Sequence, residues 1–474
     1  MSTNSSTRSS TRNAKIEHTG LEMVRPEERR GKPRTLFGIW SSTNLTLGSF
    51  VTGALGIQLG LSLWQAAIGM VIGIVLGAVL IPTMSYVGFR LGIPQMLMAR
   101  AVFGRVGAAL PAAIAWCSFL GWFTVLDVLG AQALESALGL PMIPGLIILS
   151  AITIGIGMVG YDLVHAIEKW LALVVGIVFV ILAVIALGDI DWSYAGDPAV
   201  TGGARWGLFG LVVAISFSYA GPGYTPYASD YTRYLPLSTR FREIFTPSFV
   251  GMVLSASFVF LLGAAITTID TTAQTAGLIG EVAGAMKIPV MLALAAGTVG
   301  ANVLNVYSGS LTALVVGLRL PQWASAVTIG LLGTIFATWF QMDFVANYEK
   351  WLLAILYVLP AMDALFLVDF FVVRRRKYNA VDFTAESSNP AFHWRAWIAY
   401  LIGVASCIPF MSSFLHTGSV ATALNGADIS YLVSMIVAAL VYLALSRVGK
   451  TSTHSATREH EPTPSPAAVT PELA

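Results

Sequence analysis

The stretch "SYAGPGYTPY", Ser218 to Tyr227, ends a long apolar run and decides how the rest of the chain is interpreted. It follows "WGLFGLVVAISF", Trp206 to Phe217, a run with almost no polar side chains. Pro222 removes a backbone donor and clashes with the preceding turn, while Gly221 and Gly223 permit non-helical dihedral angles. Unwound backbone at membrane depth is tolerated only where it is buried in protein or lines a cavity. The stretch therefore predicts a broken membrane helix beside a cavity, with a second helical half that runs down to the cytoplasm.

The composition places the chain in a lipid bilayer. Of its 474 residues, 56% are hydrophobic and 11% are charged, whereas a soluble domain carries about a quarter charged residues. The net charge of +2 predicts no nucleic-acid partner. Cys117 and Cys407 lie in apolar runs without metal or redox spacing, so we expect neither a metal site nor a cofactor.

The two ends of the chain differ in composition from the middle. Residues 1–35 are rich in Ser, Thr and Arg and lack an apolar core, which excludes a signal peptide. Residues 447–474 are rich in Pro, Ser, Thr and Glu. We expect two disordered cytoplasmic termini around one membrane domain, residues 36–446.

Twelve segments have the apolar composition of membrane helices, which need about 20 residues each. They cover residues 36–57, 64–88, 108–137, 142–160, 166–188, 205–228, 244–268, 288–317, 323–341, 349–371, 393–413 and 428–446. If the N-terminus is cytoplasmic, most loop cations face the cytoplasm, and the exceptions are Arg205, Lys287 and Lys350. The cytoplasmic cations are Arg90, Arg100, Arg105, Arg233, Arg240, Arg242, Arg319, Arg374, Arg375, Arg376, Lys377, Arg447 and Lys450. This positive-inside pattern predicts a multi-pass protein of the plasma membrane with both termini cytoplasmic.

A second unusual segment supports a transporter. "WSSTNLTLGSFVTGALG", Trp40 to Gly56, is rich in Ser, Thr and Gly for a membrane span. It belongs to the first segment and the Gly-Pro-Gly stretch to the sixth, so the two occupy matching places in two halves of five helices. Paired interruptions of this kind indicate a transporter's binding site at the membrane midplane. A simple kink packed on a neighbouring helix is the alternative for Gly221–Gly223.

Four motifs follow one another along the chain. They are "GWFTVLDVLGAQ" (Gly121–Gln132), "YASDYTRYLP" (Tyr227–Pro236), "NVLNVYSGSL" (Asn302–Leu311) and "LPAMDALFLVDFFVVRRR" (Leu359–Arg376). Through them the region 36–446 resembles the nucleobase–cation symporter-1 family, and within it the purine–cytosine permease branch. The resemblance implies an all-α membrane fold: twelve transmembrane helices, of which ten form a leucine-transporter-like core of two inverted repeats. It also implies import of a nucleobase, driven by a cation gradient.

The aromatic residues suit such a substrate, because a flat heterocycle needs a ring on which to stack. The resemblance assigns this role to Trp122, in the middle of the third segment. We expect a second ring from the sixth segment, with Tyr224 as the candidate and Tyr219 as the reserve. Packing in the core or at the membrane interface is the structural alternative for Trp122.

Amide side chains suit the edge of a nucleobase, because each offers a donor and an acceptor. Asn302 and Asn305 are three residues apart and lie on one face of a helix. Hydrogen bonding between helices is the alternative role for the pair. Gly53 and Gly221, one in each interrupted segment, complete the predicted substrate-binding residues.

Two positions depart from related fungal permeases, which have asparagines where this chain has Leu126 and Ala301. The substrate then differs from cytosine or makes fewer polar contacts. A symporter of another heterocycle, such as allantoin, hydantoin, uracil or a pyridine or thiazole vitamin, is the alternative function.

The eighth segment lacks a feature that sodium-coupled relatives have. Sodium-coupled relatives carry two hydroxyl side chains about five residues before an asparagine of the eighth helix, where this chain has Val299 and Gly300. Hydroxyls of Thr298, and of Ser49 and Thr52 in the first segment, are the candidates that would compensate.

Asp127 and Asp363 are carboxyls inside predicted spans. A permanent charge there costs several kcal/mol unless the group is paired or protonated. A buried pair with Lys or Arg is the structural alternative. We predict that protons drive transport, with sodium as the alternative cation.

Two other classes of protein fit the sequence less well. A membrane-embedded enzyme needs a metal cluster or a nucleophile beside its base, and the six histidines are scattered. A channel needs repeated rings of pore-lining residues. We therefore predict a transporter and not an enzyme; the sequence predicts no oligomeric state.

Overall fold

The structure, a computed structural model, describes residues 21–448 except 30, 160, 319, 387 and 414–415. Residues 1–20 and 449–474 of the predicted disordered termini, and the cations Arg319 and Lys450, lie outside the described residues. The described chain is helical, with one isolated β-bridge between Ser412 and Thr417. The α-helices are α1 (Thr35–Ser42), α2 (Leu47–Gln58), α3 (Leu63–Ala78), α4 (Leu80–Leu91), α5 (Met98–Phe103), α6 (Ala109–Leu138), α7 (Met142–Val159), α8 (Tyr161–Ala186), α9 (Gly202–Ala220), α10 (Phe241–Thr267), α11 (Thr275–Val282), α12 (Lys287–Val316), α13 (Gln322–Phe340), α14 (Phe344–Val368), α15 (Trp394–Ala405), α16 (Ser419–Ala423) and α17 (Ser430–Val448).

Each of the twelve predicted segments overlaps at least one of these helices, and the first two segments each overlap two. Within the described ranges, seven helical stretches are long and apolar enough to cross a membrane. They are Leu63–Leu91, Ala109–Leu138, Gly202–Tyr227, Phe241–Thr267, Gly284–Val316, Trp323–Val373 and Ser430–Arg447. The shorter apolar helices include α2, α15 and much of α7 and α8. The protein is therefore an all-helical, multi-pass membrane protein.

The first predicted segment is interrupted between Ser42 and Leu47, at residues 43–46, which we call break one. Polar side chains bond the backbone that the helices leave open. The Asn44 side-chain amide donates to the Trp40 carbonyl at 2.7 Å, and the Thr46 hydroxyl accepts from the Ser49 amide at 3.3 Å. The Thr46 hydroxyl thereby caps the N-terminus of α2.

The sixth predicted segment is interrupted after Ala220, where α9 ends. Residues 221–234, which we call break six, form turns with a single 3-10 turn at Thr225–Tyr227. The prediction that a second helical half follows Gly-Pro-Gly is wrong, because Pro222 and Pro226 both lack the donor that a helix requires.

Two other predictions need correction. The helix expected over residues 393–413 ends at Ala405, and the chain then turns around Pro409, whose carbonyl accepts from the amides of Val420 and Ala421. The disorder expected for residues 1–35 does not extend over the described part of that segment. The Val24 amide donates to the Gly92 carbonyl at 2.8 Å, and the Arg29 side chain donates to the Phe89 carbonyl at 2.7 Å.

Small residues bring the interrupted helices close to their neighbours. A side chain on Gly53 would overlap the Phe260 carbonyl of α10, so α2 and α10 touch backbone to backbone. A side chain on Gly77 would overlap the end of α9 in the same way. The α6 and α12 helices make the most extensive helix contact of the described chain. The two breaks therefore face the α6–α12 pair across the interior of the bundle.

Candidate substrate-binding site

A small cavity lies where break one and break six face α6 and α12. Its volume is about 20 Å³, enough for about one water molecule. It is lined by Thr43, Thr46, Trp122, Leu126, Tyr219, Tyr224, Tyr227, Ala301, Leu304 and Asn305. Side chains must therefore move before a heterocycle can enter.

Aromatic rings form most of the cavity wall. The rings of Trp122 and Tyr224 are nearly parallel, with centroids 6.4 Å apart and an interplanar angle of 15°. Tyr219 meets Trp122 edge-on at 5.2 Å and 87°. Because the two rings are nearly parallel and both line the cavity, a flat heterocycle can stack against them once these side chains move apart.

Hydrogen bonds hold these tyrosines against break one. The Tyr219 and Ser49 hydroxyls lie 2.8 Å apart, and the Tyr224 hydroxyl donates to the Thr43 carbonyl at 3.1 Å. In contrast, the buried indole N–H of Trp122 has no acceptor among the described residues. A buried donor without a partner is costly, so this group can gain from a polar ligand.

The two asparagines of α12 have different positions. Asn305 lines the cavity, whereas Asn302 lies behind it. The Asn305 amide nitrogen donates to the Asn302 side-chain oxygen at 3.1 Å, and Asn302 donates to the Phe123 carbonyl at 3.0 Å. Asn302 therefore positions Asn305 rather than facing the cavity.

Leu126 and Ala301, the positions that depart from the fungal pattern, both line the cavity. Gly53 and Gly221, which we predicted to bind substrate, are absent from its lining, because they pack against the backbones of Phe260 and Gly77. Thr43, Thr46, Tyr227 and Leu304 also line the cavity and were not predicted. All four lie in stretches that the sequence marks as unusual or as motifs, namely Trp40–Gly56, Tyr227–Pro236 and Asn302–Leu311, but nothing in the sequence distinguishes them within those stretches.

The two membrane carboxyls have different surroundings. Asp363 of α14 accepts from the Thr225 hydroxyl of break six at 2.9 Å. Asp127 of α6 accepts from Ser150 of α7 at 2.8 Å, and Thr334 of α13 donates to Ser150 at 2.6 Å. Within the described chain neither carboxyl forms a salt bridge, which argues against the alternative of a buried pair with Lys or Arg.

The three hydroxyls considered for sodium have separate partners. Ser49 contacts Tyr219, and Thr52 contacts the Tyr348 hydroxyl and donates to the Gly48 carbonyl, both at 2.7 Å. Thr298 donates within α12, to the Ala295 carbonyl at 2.8 Å. Each of the three hydroxyls therefore has a hydrogen-bond partner of its own within the protein.

A second cavity of about 10 Å³ lies between break one, α8 and α12. The α12 residues that line it are Gly297, Gly300 and Ala301, so this helix offers it no side-chain oxygen. No group of three or more His, Cys, Asp or Glu among the described residues could hold a metal ion.

Comparison with known proteins identifies the family of this chain. The model of a family described as permeases for cytosine/purines, uracil, thiamine and allantoin matches residues 23–434. The putative purine-cytosine permease YxlA of Bacillus subtilis is 29% identical over 444 residues, covering 91% of this chain and 96% of the relative. The purine-cytosine permease fcyB of Emericella nidulans is 28% identical over 460 residues, covering 91% and 88%.

A solved structure has the same fold. Mhp1, a nucleobase-cation-symport-1 family transporter in a closed conformation with bromovinylhydantoin bound, superposes with a TM-score of 0.75 at 17% identity. The match covers 91% of this chain and 95% of Mhp1. The relatives are permeases and not enzymes. With a family model that spans most of its length, this chain belongs to the purine–cytosine permease family of the nucleobase–cation symporters, and it is a membrane transporter.

Proposed function

We propose that this transporter imports a nucleobase by proton symport, through alternating access of a site between break one and break six. The observation that carries the proposal is the parallel pair of Trp122 and Tyr224 at 6.4 Å, at the meeting point of the two breaks. A base stacked on an aromatic side chain gains on the order of 1–3 kcal/mol. Two facing rings stabilise a flat heterocycle on both sides.

The polar groups of the cavity support a nucleobase substrate. Asn305 offers an amide that is held in orientation by Asn302. Thr43 and Thr46 add hydroxyls on the opposite side of the cavity. Because each of these groups both donates and accepts or can rotate to do so, they can read the alternating donors and acceptors at the edge of a base.

A second candidate function follows from Leu126 and Ala301. These residues place apolar surface where fungal permeases have asparagines, and both line the cavity. The wall therefore offers cytosine fewer polar contacts than the fungal pattern would, which favours a different heterocycle. Uracil, allantoin, a hydantoin or a pyridine or thiazole vitamin is the alternative substrate.

The case for protons rests on two observations. The cavity between break one and α12 has glycine and alanine where sodium would need hydroxyl ligands from that helix. Asp363 contacts break six through Thr225 and has no ion-pair partner among the described residues. A carboxyl that is stable at membrane depth only when neutral can take up a proton from one side and release it to the other.

We further propose twelve spans in the cell membrane, with ten helices as two inverted repeats, two additional helices and both termini cytoplasmic. The loop charges support this arrangement. Cysteines introduced at residues 90 and 377 test this topology: a membrane-impermeant thiol reagent should label them only from the cytoplasmic side.

Uptake into proteoliposomes tests the transport proposal. With an inward proton gradient, radiolabelled cytosine should accumulate against its own gradient, and competition by a panel of unlabelled heterocycles ranks the substrates. Accumulation should collapse with a protonophore and persist when choline replaces sodium. Accumulation driven by sodium at equal pH on both sides would exclude proton coupling. Equilibration without accumulation would exclude symport.

A further inference from the structure

Two open cavities meet at the start of α1, apart from the substrate-binding cavity. One, of about 840 Å³, is a groove between α1 and α8. The other, of about 790 Å³, lies between the start of α1 and the start of α10. Arg34 lines both cavities, so they adjoin at this residue.

The groove between α1 and α8 is apolar and faces outward. Leu173, Ile177 and Val180 line it and are 54%, 51% and 53% exposed. Its lining on the other side runs along α1 from Arg34 to Ser42, roughly 12 Å at the helical rise, and continues to Leu45 of break one. This length is comparable to the depth of one leaflet, about half of the 30 Å hydrocarbon core. An acyl chain therefore fits the groove in both chemistry and length.

The cavity between α1 and α10 is basic. Lys32, Arg34, Arg240 and Arg242 line it, with Glu243 as the one acid in its lining. The Glu243 carboxylate accepts from the Arg240 backbone amide at 2.7 Å, at the start of α10. Within the described part of the chain, none of the four cations forms a salt bridge. Four positive side chains therefore surround a space that can take an anion.

We propose that an anionic phospholipid binds here, with its phosphate headgroup among the four cations and an acyl chain along α1. Basic pockets between membrane helices near the membrane surface bind anionic headgroups. A zwitterionic lipid would bring its own ammonium group to the cationic cluster and lose that advantage. Because the acyl chain lies along α1, which ends at break one, the bound lipid contacts the helix that leads to the candidate substrate-binding cavity.

Lipid titration of the full-length, detergent-purified protein, followed by native mass spectrometry, tests the headgroup site. Phosphatidylglycerol should bind more tightly than phosphatidylcholine with the same acyl chains. Arg34→Gln and Arg240→Gln should each weaken phosphatidylglycerol binding about fivefold, the effect expected for one cation near an anionic headgroup. The matched control, Arg375→Gln with Lys377→Gln, removes two exposed cations of the loop after α14 and should leave binding unchanged.

Gly38→Leu tests the groove while keeping every cation. No heavy atom lies within 4 Å of the position that a Cβ would occupy on Gly38, and leucine favours a helix over glycine. The variant should fold normally and bind phosphatidylglycerol more weakly, because the leucine side chain occupies the path of the acyl chain.

Three results would overturn the lipid proposal. Equal binding of phosphatidylglycerol and phosphatidylcholine would mean nonselective surface lipid. Displacement of phosphatidylglycerol by equal concentrations of glycerol phosphate would mean a site for free phosphate. An equal loss in the Arg375→Gln/Lys377→Gln control would mean a general effect of surface charge. None of these measurements involves substrate, so they are independent of the transport proposal.

Discussion

Break one and break six interrupt matching helices, but their residues do so in different ways. Break one contains neither glycine nor proline, and side chains such as Asn44 and Thr46 bond the open backbone. Helix resumes at Leu47. Break six begins with Gly-Pro-Gly, and no α-helix follows it before Phe241. Its backbone is held by other elements, since Ser229 donates to the Met84 carbonyl at 2.8 Å and Asp230 accepts from the Gln95 amide at 2.9 Å.

The two breaks therefore make different contributions to the candidate binding site. Break six supplies the rings of Tyr224 and Tyr227 to the cavity and contacts Asp363 through Thr225. Break one supplies hydroxyls and backbone carbonyls that hold the rings. We therefore expect changes around break six to affect coupling and affinity, and changes at break one to affect stability.

The largest effect is expected for the carboxyl that contacts break six. Asp363→Asn keeps an acceptor for Thr225 but cannot exchange a proton, so accumulation driven by a pH gradient should be lost while substrate exchange continues. In the wild type, uptake should rise as the external pH falls. Both are measured in proteoliposomes with imposed gradients.

Asp127→Asn tests the other carboxyl predicted as a candidate for cation coupling, which contacts α7 rather than either break. It should retain most of the pH-driven accumulation. Normal accumulation in Asp363→Asn, or a loss of accumulation only in Asp127→Asn, would show that Asp363 is not the carboxyl that couples protons to transport.

The next largest effect concerns the ring that faces break six. Trp122→Ala should weaken substrate binding by roughly 1–3 kcal/mol, or about 5- to 150-fold. Trp122→Phe should keep part of the affinity. Trp64→Ala, which removes a 60% exposed tryptophan, is the control in a binding assay. Wild-type affinity in Trp122→Ala would show that Trp122 of α6 does not contribute to substrate binding.

A smaller effect is expected at break one. Thr46→Val preserves the shape of the side chain but removes the hydroxyl that caps α2, and should lower the free energy of unfolding by about 1 kcal/mol. Thr46→Ser retains the cap and should be close to wild type. Chemical unfolding measures both variants. Equal stability of Thr46→Val and Thr46→Ser would show that the cap does not stabilise break one.

The smallest effect is the coupling between α2 and α9, the helices that adjoin the two breaks. The hydrogen bond between Ser49 and Tyr219 should contribute roughly 0.5–1.5 kcal/mol. A double-mutant cycle of Ser49→Ala and Tyr219→Phe measures it by chemical unfolding. Additive single effects would mean that these hydroxyls do not hold Tyr219 to α2.

Several features followed from the sequence because their causes are local. Long apolar runs predicted where the helices lie, and Gly-Pro-Gly predicted where α9 ends, since proline and glycine act on the backbone of their own segment. Trp122, Tyr219, Tyr224 and Asn305 were predicted to bind substrate from their chemistry and from motifs. All four line the candidate cavity, and their binding of substrate stays a prediction.

Other features depended on contacts between distant segments. The sequence alone did not separate Asn305, in the cavity wall, from Asn302 behind it, because both lie on one helix face. It placed Gly53 in the site, although packing against Phe260 explains that glycine. Backbone dihedral preferences and hydropathy are properties of single segments, so the sequence alone predicts where helices lie and where they break. Which side chains share a cavity depends on how distant helices cross, and only the tertiary structure decides that.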